Sequence, residues 1–490
     1  MSNIGSAAVH NSNPLTVNNA DSPASDNTDT ESVISSDQSQ VSSDWEEELE
    51  DTEILDWLSS LSKEDFSKKQ ADFLRQRQEG TGQWFLESPQ FQEWYSPCFL
   101  RTWLILIFPQ ANQPTRLSRK SVTLFCPGIP GAGKTILASI VIDHLQRNLT
   151  NRDVGIAYLY CNFRRVGDQT VEQLLANLVK QLIMNKSPPP RAVVKVYSER
   201  NKYQSEPSLN DLEKMFRTVA ALYKDGVFVI VDALDECQMS DDVRSKFIEA
   251  LLRLQSKRSN VNILATSRPV PDIVEAFDGH STRLEIVAHR DDIERYVRNQ
   301  MSNLRTVSKY PDLQHEIVSC IANVADGMFL LAHLFVESLK DKVSAKLIRK
   351  TLNELQNDSK EKEPRLALLR RAYDNVMKRI NGQPVGYKEL AKHVLSWIVC
   401  AKRPLKTTDV QYAWAVKDSE DELDETAIPD AEDMLSACCG LVVIDKDSEI
   451  IRLAHYTAQE YFQDTWIGAY GLNDLAKALL TDQAMEAIRR

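Results

Sequence analysis

The sequence predicts an α/β protein in which a parallel β-sheet is flanked by helices and is followed by a helical domain and a winged-helix domain. Between residues 121 and 288, short apolar runs rich in β-branched residues alternate with amphipathic helical patterns. Strands of this kind, separated by helices, form parallel sheets that are covered on both faces. From residue 289 the helical period dominates. Two apolar runs at 441–444 and 450–453 then have the spacing of the strand pair in a winged helix.

Length and composition set limits on this architecture. A chain of 490 residues is too long for one hydrophobic core and suggests about three domains. The chain has 58 basic and 70 acidic residues, and the resulting net charge of −12 argues against nucleic-acid phosphate as its main partner. The most apolar short run, 103–108, is far below the roughly 20 residues that cross a bilayer, and the N-terminus lacks the apolar core of a secretory leader. We therefore expect a cytoplasmic protein without a membrane span.

The first 120 residues divide by composition. Residues 1–44 are rich in Ser, Asn, Asp and Thr and cannot bury enough apolar surface to offset the entropy of ordering, so we predict a disordered tail. Residues 45–95 form an N-terminal helical segment. Residues 96–120 are an insert or loop, or alternatively an artefact such as a retained intron. The eight cysteines are scattered without a CxxC pair, so we expect neither a disulfide framework nor a zinc site.

The strands and helices of the sheet domain follow from the apolar pattern. We place this domain at 121–288, with its strands at 122–126, 156–160, 227–231 and 261–265. Apolar residues at helical spacing predict helices between them, from Val171 to Leu182 and from Val243 to Leu254. A charged stretch at 357–363 separates the helical domain, 289–362, from the winged-helix domain, 363–485.

A complete phosphate-binding loop, Gly128-Ile-Pro-Gly-Ala-Gly-Lys134-Thr135, lies between the first apolar run and a helical pattern. Its glycines let backbone N–H groups turn toward phosphate oxygens, and the N-terminus of the following helix adds a favourable potential. Lys134 would contact the β- and γ-phosphates, and the Thr135 hydroxyl would bind Mg²⁺. The sequence therefore predicts that a nucleoside triphosphate or diphosphate binds through Gly128, Gly131, Ala132, Gly133, Lys134, Thr135 and Ile136.

Acidic residues follow the third apolar run, in Asp232-Ala-Leu-Asp235-Glu236. Acids at the carboxyl end of a parallel strand lie where open α/β sheets bind ligands. We predict that Asp232 binds Mg²⁺ directly or through water. Either Asp235 or Glu236 would polarise an attacking water, and we favour Glu236. The alternative is that these acids simply begin a solvated loop.

The fourth apolar run ends in Thr266-Ser-Arg268-Pro269. An arginine at this edge can contact a γ-phosphate through charge-assisted hydrogen bonds and so report whether it is present. The alternative is a surface arginine before a proline turn. The loop, the acids and the arginine occur in the order expected for an ATPase with a sensor strand. Adenine is favoured as the base because Asn185-Lys-Ser-Pro188 lacks the aspartate that reads guanine.

Two further side chains have open interpretations. His455 lies beside apolar residues, and a lone histidine in such a place is usually structural. Trp84 is a packing residue or, alternatively, a wall of the adenine site.

These motifs resemble a known family. The loop, Val231-Asp-Ala-Leu-Asp-Glu-Cys237 and Thr266-Ser-Arg-Pro269 are similar to the NACHT-type ATPases of filamentous fungi, which belong to the STAND class of signal-transducing NTPases. Glu79-Gly-Thr-Gly-Gln-Trp-Phe-Leu86 resembles the segment that precedes this domain in the nephrocystin-like subgroup. His455-Tyr-Thr-Ala-Gln-Glu-Tyr-Phe462 resembles the winged-helix domain described for GPI inositol-deacylase relatives.

The resemblance implies a conformational switch with slow ATP hydrolysis. ADP would hold a closed monomer, with His455 contacting the ADP phosphates. Exchange for ATP would permit opening, homo-oligomerisation and contact with unidentified protein partners, in a defence or incompatibility-type response. Family members usually continue into ankyrin or WD repeats, whereas this chain ends at Arg490. The alternative is a non-hydrolysing scaffold, or a regulatory fragment of a longer repeat-containing receptor.

Overall fold

Parallel strands with flanking helices come first along the chain, and a helical region with a small antiparallel sheet follows. The computed structural model describes residues 52–61, 66–95, 122–162, 170–186, 188–237, 242–255, 260–304, 307–360, 365–401, 403–416, 425–445 and 448–466. All of them belong to one structural unit, Glu50–Arg490. The predictions for residues 1–44, 96–120 and 467–485 lie outside the described residues.

The central sheet has five parallel strands in the order β2–β3–β4–β1–β5. Their bounds are β1 Thr123–Pro127, β2 Val154–Tyr160, β3 Gly226–Asp232, β4 Val261–Ser267 and β5 Thr282–Arg283. The four apolar runs form β1 to β4, whereas the short β5 was not predicted. Every residue of β3 and β4 is buried, as expected for a sheet covered on both faces. Because β4 lies between β1 and β3, the ends of these three strands meet at one edge.

Helices surround this sheet and join it to the N-terminal segment. They are residues 52–61, α1 Phe66–Gln76, α2 Gln83–Glu87, α3 Pro89–Tyr95, α4 Lys134–Asn148, α5 Val171–Met184, α6 Arg191–Lys202, α7 Leu209–Ala220, α8 Val243–Leu254 and α9 Pro271–Phe277. Helix α5 begins with a capping box, in which Thr170 and Gln173 satisfy each other's backbone N–H groups. The fully buried Trp94 donates its indole N–H to the carbonyl of Ile263, at 2.9 Å, and so fixes α3 to β4.

The second part of the fold is mainly helical. Its elements are α10 Arg290–Gln300, α11 Pro311–Ala325, α12 Phe329–Leu339, α13 Ala345–Lys360, α14 Arg365–Asn381, α15 Val385–Cys400, β6 Leu405–Lys406, α16 Thr407–Ala415, α17 Ala431–Ala437, β7 Val442–Ile444, β8 Ile450–Leu453 and α18 Tyr456–Tyr461. Single helical turns occur at Leu234–Glu236, Met301–Asn303, Val307–Lys309, Glu425–Ala427 and Phe462–Trp466. None of the described helices is long and apolar enough to cross a bilayer.

The antiparallel sheet has the order β6–β8–β7 and, with its helices, forms the winged-helix domain. Side chains alternate between the two faces of a strand. In β8, Ile451 and Leu453 are buried in the core of this domain, while Ile450 and Arg452 are only half-buried on the other face. Residues of both faces of β8 line the cavity that also contains the phosphate-binding loop.

Candidate nucleotide-binding site

The phosphate-binding loop connects the end of β1 to the start of α4. Gly131 and Gly133 have φ values of +71° and +95°, a left-handed conformation that side chains rarely adopt. The helical region also supports this loop, because the Leu330 N–H donates to the carbonyl of Gly131, at 3.2 Å. A Cβ atom at Gly131 would come within 2.5 Å of the Leu330 Cβ. The loop is therefore packed against the beginning of α12 and depends on glycine there.

Lys134 lies over the loop at the position from which it would contact phosphates. Its side chain is buried, and its ammonium donates to the carbonyls of Gly128 and Ile129, at 3.0 and 3.1 Å. Burial lowers the pKa of Lys134, and the charges of Asp235, Asp232 and Glu236 oppose this effect. The lysine is thus the positive centre of a group of acids, and its contact with phosphates stays a prediction.

Asp232 ends β3 and is held by hydroxyl groups. The Thr266 hydroxyl donates to Asp232 Oδ1, at 2.6 Å, and accepts the N–H of Ala233, at 3.0 Å. The Thr135 side chain also hydrogen-bonds Asp232. Burial raises the pKa of Asp232, while these hydrogen bonds and Lys134 lower it. The carboxylate of Asp232 and the hydroxyl of Thr135 are adjacent oxygen ligands, and they fit Mg²⁺, which takes few protein ligands beside phosphate and water oxygens.

Arg268 is engaged by residues of two domains. Its backbone N–H and its Nε–H donate to the two carboxylate oxygens of Asp235, at 2.8 and 2.6 Å. Its Nη1 donates to Glu460 of α18, at 2.9 Å, and its guanidinium carbon lies 4.8 Å from the ring centroid of Tyr456. Arg268 lines a separate groove beside Pro269 rather than the cavity above the loop. The predicted phosphate sensor is therefore bound to the winged helix in this structure.

His455 caps the N-terminus of α18. Its Nδ1 accepts the N–H of Thr457, at 3.2 Å, so the neutral ring carries its proton on Nε2. Burial, followed by the charges of Lys134 and Arg268, lowers the pKa of His455 to about 3. The ring is consequently a neutral hydrogen-bond donor at physiological pH. Tyr373 of α14 fixes the same turn, because its hydroxyl lies 2.7 Å from that of Thr457.

Trp84 and its neighbours form the opposite wall of the site. The Trp84 ring stacks on His289, with centroids 4.0 Å apart and planes within 9°. The preceding Gly82 has φ +81°, and its N–H donates to Asp292 Oδ2 of α10, at 2.9 Å. Trp84 therefore packs on His289 and also lines the cavity, while its role as a wall of the adenine site stays a prediction.

A cavity of about 790 Å³ joins these groups. It is lined by most of the predicted site residues, namely Gly131, Ala132, Gly133, Lys134, Thr135, Ile136, Asp232, Asp235, Glu236 and His455. Gly128 lies below it, where a Cβ would come within 2.6 Å of the Ile286 carbonyl. The structure thus brings together residues of the sheet domain and of the winged helix.

Three residues of the winged helix were missed by sequence reasoning. Tyr456 and Glu460 lie within the His455–Phe462 segment that resembles a winged-helix domain, but the sequence predicts no role for them. Arg452 lines the cavity from β8, and its guanidinium carbon lies 5.7 Å from the ring centroid of Phe73. Burial lowers the pKa of Arg452, although Asp445 opposes this. An arginine within an otherwise apolar strand was the one signal that could have identified it.

Comparison with known proteins identifies two segments. Residues 80–268 match the family model for the N-terminal region of nephrocystin 3, and residues 378–473 match that for the winged-helix domain of GPI inositol-deacylase. A search of curated proteins finds no match. The two segments correspond to the sheet domain and to the winged-helix domain, respectively.

Solved structures resemble the chain only loosely. The Aeropyrum pernix ORC1 protein in complex with DNA is 14% identical, with a TM-score of 0.31 over 79% of this chain and 97% of that one. The A. pernix ORC2 protein, in ADPNP–ADP complexes, is 13% identical, with a TM-score of 0.33 over 80% and 94%. The Walker-type ATPase PABY2304 of Pyrococcus abyssi is 12% identical, with a TM-score of 0.32 over 70% and 91%. Scores this low carry no functional inference.

The fold and the site define the class of protein. A glycine-rich loop follows the first strand of a parallel sheet, its lysine and threonine lie beside the aspartate that ends β3, and a cavity opens above them. The chain has the fold and the phosphate-binding loop of a P-loop NTPase, with an appended helical region and winged helix.

Proposed function

We propose that this chain is an ATP/ADP-binding switch of the NACHT class, held closed by its winged helix. The single observation that carries the proposal is the engagement of Arg268 by Asp235 and Glu460. Arg268 follows the strand between the loop and the acids, and a γ-phosphate would compete for its guanidinium. If a γ-phosphate displaced Glu460 as the partner of Arg268, α18 would be released from the sheet domain.

His455 supports the same proposal from the other side of the cavity. Its neutral ring, with a proton on Nε2, faces the space that also contains Lys134. A neutral donor can hydrogen-bond a phosphate oxygen without the cost of burying a further charge. In our proposal His455 contacts the phosphates of ADP and so stabilises the closed form.

Nucleotide can drive opening only through a difference in its affinity for the closed and open forms. Arg268 and His455 would supply that difference in opposite directions. In the closed form the winged helix holds Arg268 away from the nucleotide, so contact between Arg268 and a γ-phosphate would favour the open form. The winged helix itself provides His455, so contact between His455 and ADP would favour the closed form. Opening would then permit homo-oligomerisation and contact with protein partners in a defence or incompatibility-type response. The two matching family models, in this order along the chain, favour this class over a metabolic phosphotransferase.

Hydrolysis in this proposal is slow. Glu236 lines the cavity and is the candidate for polarising water, whereas Asp235 is already paired with Arg268. Thr135 and Asp232 would hold Mg²⁺, which would supply positive charge beside the β- and γ-phosphates when bound.

The test is the nucleotide content and turnover of the purified full-length chain. We expect co-purified ADP and slow phosphate release from ATP, both lost in Lys134→Ala. We expect Glu236→Gln to retain ATP unhydrolysed. A folded sample with no nucleotide and no turnover would refute the switch. Nucleotide binding that is insensitive to Glu236→Gln would instead support the non-hydrolysing scaffold.

A further inference from the structure

The side chains of Cys161 and Cys237 are in contact with each other, close to the candidate catalytic acids Asp235 and Glu236. Cys161 follows the last residue of β2, and Cys237 ends the helical turn that carries Asp235 and Glu236. Their Sγ atoms are 2.7 Å apart, although 76 residues separate them in sequence. A disulfide bond is about 2.05 Å long, so the two sulfur atoms would need to approach by only about 0.7 Å.

The backbone holds both cysteines at the carboxyl edge of the sheet. The Cys161 N–H donates to the carbonyl of Asp232, at 3.1 Å, and the Cys237 N–H donates to that of Leu234, at 3.2 Å. Both side chains are buried, but Cys161 also lines the nucleotide cavity. A small reagent that enters this cavity would therefore meet Cys161 before Cys237.

We propose that Cys161 and Cys237 are a redox modification site, at which a peroxide forms a reversible disulfide that locks the turn carrying Asp235 and Glu236. The disulfide itself does not depend on the proposed function. Its effect on ATP turnover does, because that effect requires Glu236 to act in hydrolysis.

The chemistry is a two-electron oxidation. The Cys161 thiol first loses its proton, and the thiolate then attacks one oxygen of hydrogen peroxide, breaks the O–O bond and becomes a sulfenic acid. The other oxygen leaves as hydroxide and takes up the proton that the thiol released, which gives water. The Cys237 thiol then attacks the oxidised sulfur, the S–O bond breaks, and the oxygen leaves as a second water. In total the two thiols lose two electrons and two protons, and peroxide is reduced to two water molecules.

The closed site makes this reaction slow. Both cysteine side chains are buried, so peroxide reaches Cys161 only through the cavity. A nucleotide in the cavity would also cover Cys161. ADP at about ten times its dissociation constant leaves roughly a tenth of the sites open, and it should slow disulfide formation about tenfold.

The test uses the full chain, treated with hydrogen peroxide with and without ADP. Remaining thiols are alkylated, and the protein is digested with trypsin without reductant. Each thiol of interest falls alone in one tryptic peptide, 153–164 for Cys161 and 225–244 for Cys237. We expect a linked pair of these peptides, which reductant separates and ADP suppresses. We also expect turnover to fall in proportion to the linked fraction and to recover with reductant.

Serine variants provide the controls. Cys161→Ser and Cys237→Ser should abolish the linked peptide and the loss of turnover on oxidation. Cys320→Ser, which changes another buried cysteine on α11, should leave both unchanged. The linked peptide is detected by mass spectrometry in the wild-type chain, so this result remains decisive even if the serine variants fold poorly.

The outcomes are distinguishable. Alkylation of both thiols after peroxide treatment, or a sulfinic acid on Cys161 without a linked peptide, would overturn the disulfide. A linked peptide with unchanged ATP turnover would contradict the claim that the disulfide locks the turn carrying Asp235 and Glu236. An untreated chain without turnover would count against the proposed function, while the linked peptide would still support the disulfide.

Discussion

At the scale of single residues, the cavity sets the charge and the partners of its side chains from several elements at once. His455 belongs to the winged helix, yet Lys134 and Arg268 of the sheet domain help to keep its ring neutral. Arg452 belongs to the same domain and packs its guanidinium over Phe73 of α1. The protonation of His455 and the contacts of Arg452 therefore depend on the packing of the winged helix against the sheet domain. The first can be tested by the pH dependence of stability, and the second by nucleotide binding.

The neutral state of His455 predicts an acid-sensitive stability. The pKa of His455 is lowered from 6.5 to about 3 in the folded protein, so the folded state binds fewer protons than the unfolded state. The resulting stability is complete above about pH 6.5 and is lost progressively as the pH falls toward 3. We expect Tm to fall between about pH 7 and pH 5 in the wild type, and less steeply in His455→Gln. The exposed His280→Gln should decline like the wild type, and identical slopes in all three proteins would contradict the prediction.

Arg452 predicts a loss of nucleotide affinity on substitution. Among the described residues its guanidinium makes one long hydrogen bond, to the Leu453 carbonyl at 3.5 Å, and Arg452 lines the same cavity as Lys134. Hydrogen bonds to charged groups contribute roughly 1.5–3 kcal/mol, so Arg452→Gln should weaken ADP binding about ten- to a hundredfold. Arg452→Lys should bind with intermediate affinity, and the exposed Arg403→Gln should bind normally. Isothermal titration that finds equal affinity in all four proteins would exclude the contact.

At the scale of elements, the loop and the start of α12 form one packed unit. The hydrogen bond from Leu330 to Gly131 and the positive φ of Gly131 mean that the loop conformation and the position of the helical region are linked. β1 to β4 were predictable because each contains a short run that is almost entirely apolar. β5 was not predictable, because a strand of two residues is too short to show a pattern of apolar residues. The packing of α12 on the loop was equally unpredictable, because the contact joins residues that are distant in sequence.

This contact predicts an effect for a small substitution. In Gly131→Ala, the new methyl group would meet Leu330 in a left-handed backbone conformation, so we expect a loss of more than about 1 kcal/mol in the free energy of unfolding. ADP binding should be lost as well. Gly386→Ala is the matched control, because nothing lies within 4 Å of its added Cβ and its φ is not positive. It should be neutral or up to about 1 kcal/mol more stable. Equal thermal stability of the two variants would contradict the packing argument.

At the scale of the whole molecule, the ion pair between Arg268 and Glu460 joins the sheet domain to the winged helix. The side chains of Arg268 and Glu460 are 31% and 46% exposed, so solvent screens their interaction. Partly exposed pairs contribute roughly 0.2–1 kcal/mol, which corresponds to a change of up to about fivefold in an equilibrium or a rate. The contact is weak enough for a ligand to break, as a reversible switch requires.

Removing this pair should therefore accelerate nucleotide release. We expect Glu460→Gln to release a fluorescent ADP analogue about two- to fivefold faster than the wild type, because the winged helix would open more often. Glu432→Gln changes an exposed glutamate of the same domain and should release it at the wild-type rate. Release from Glu460→Gln at the wild-type rate would show that the ion pair does not hold the closed form.

The sequence by itself determined the sheet, the phosphate-binding loop and the order of acids and arginine, because these features are local. Glycines, a lysine and a helix start are contiguous, and an apolar run predicts a buried strand wherever it lies. Only the tertiary structure decided which group holds Arg268, which ring nitrogen of His455 carries the proton, and that Cys161 touches Cys237. Arg268 and Glu460 are 192 residues apart, and the two cysteines 76. Contacts at such separations depend on how the domains pack, and no local pattern in the chain encodes that packing.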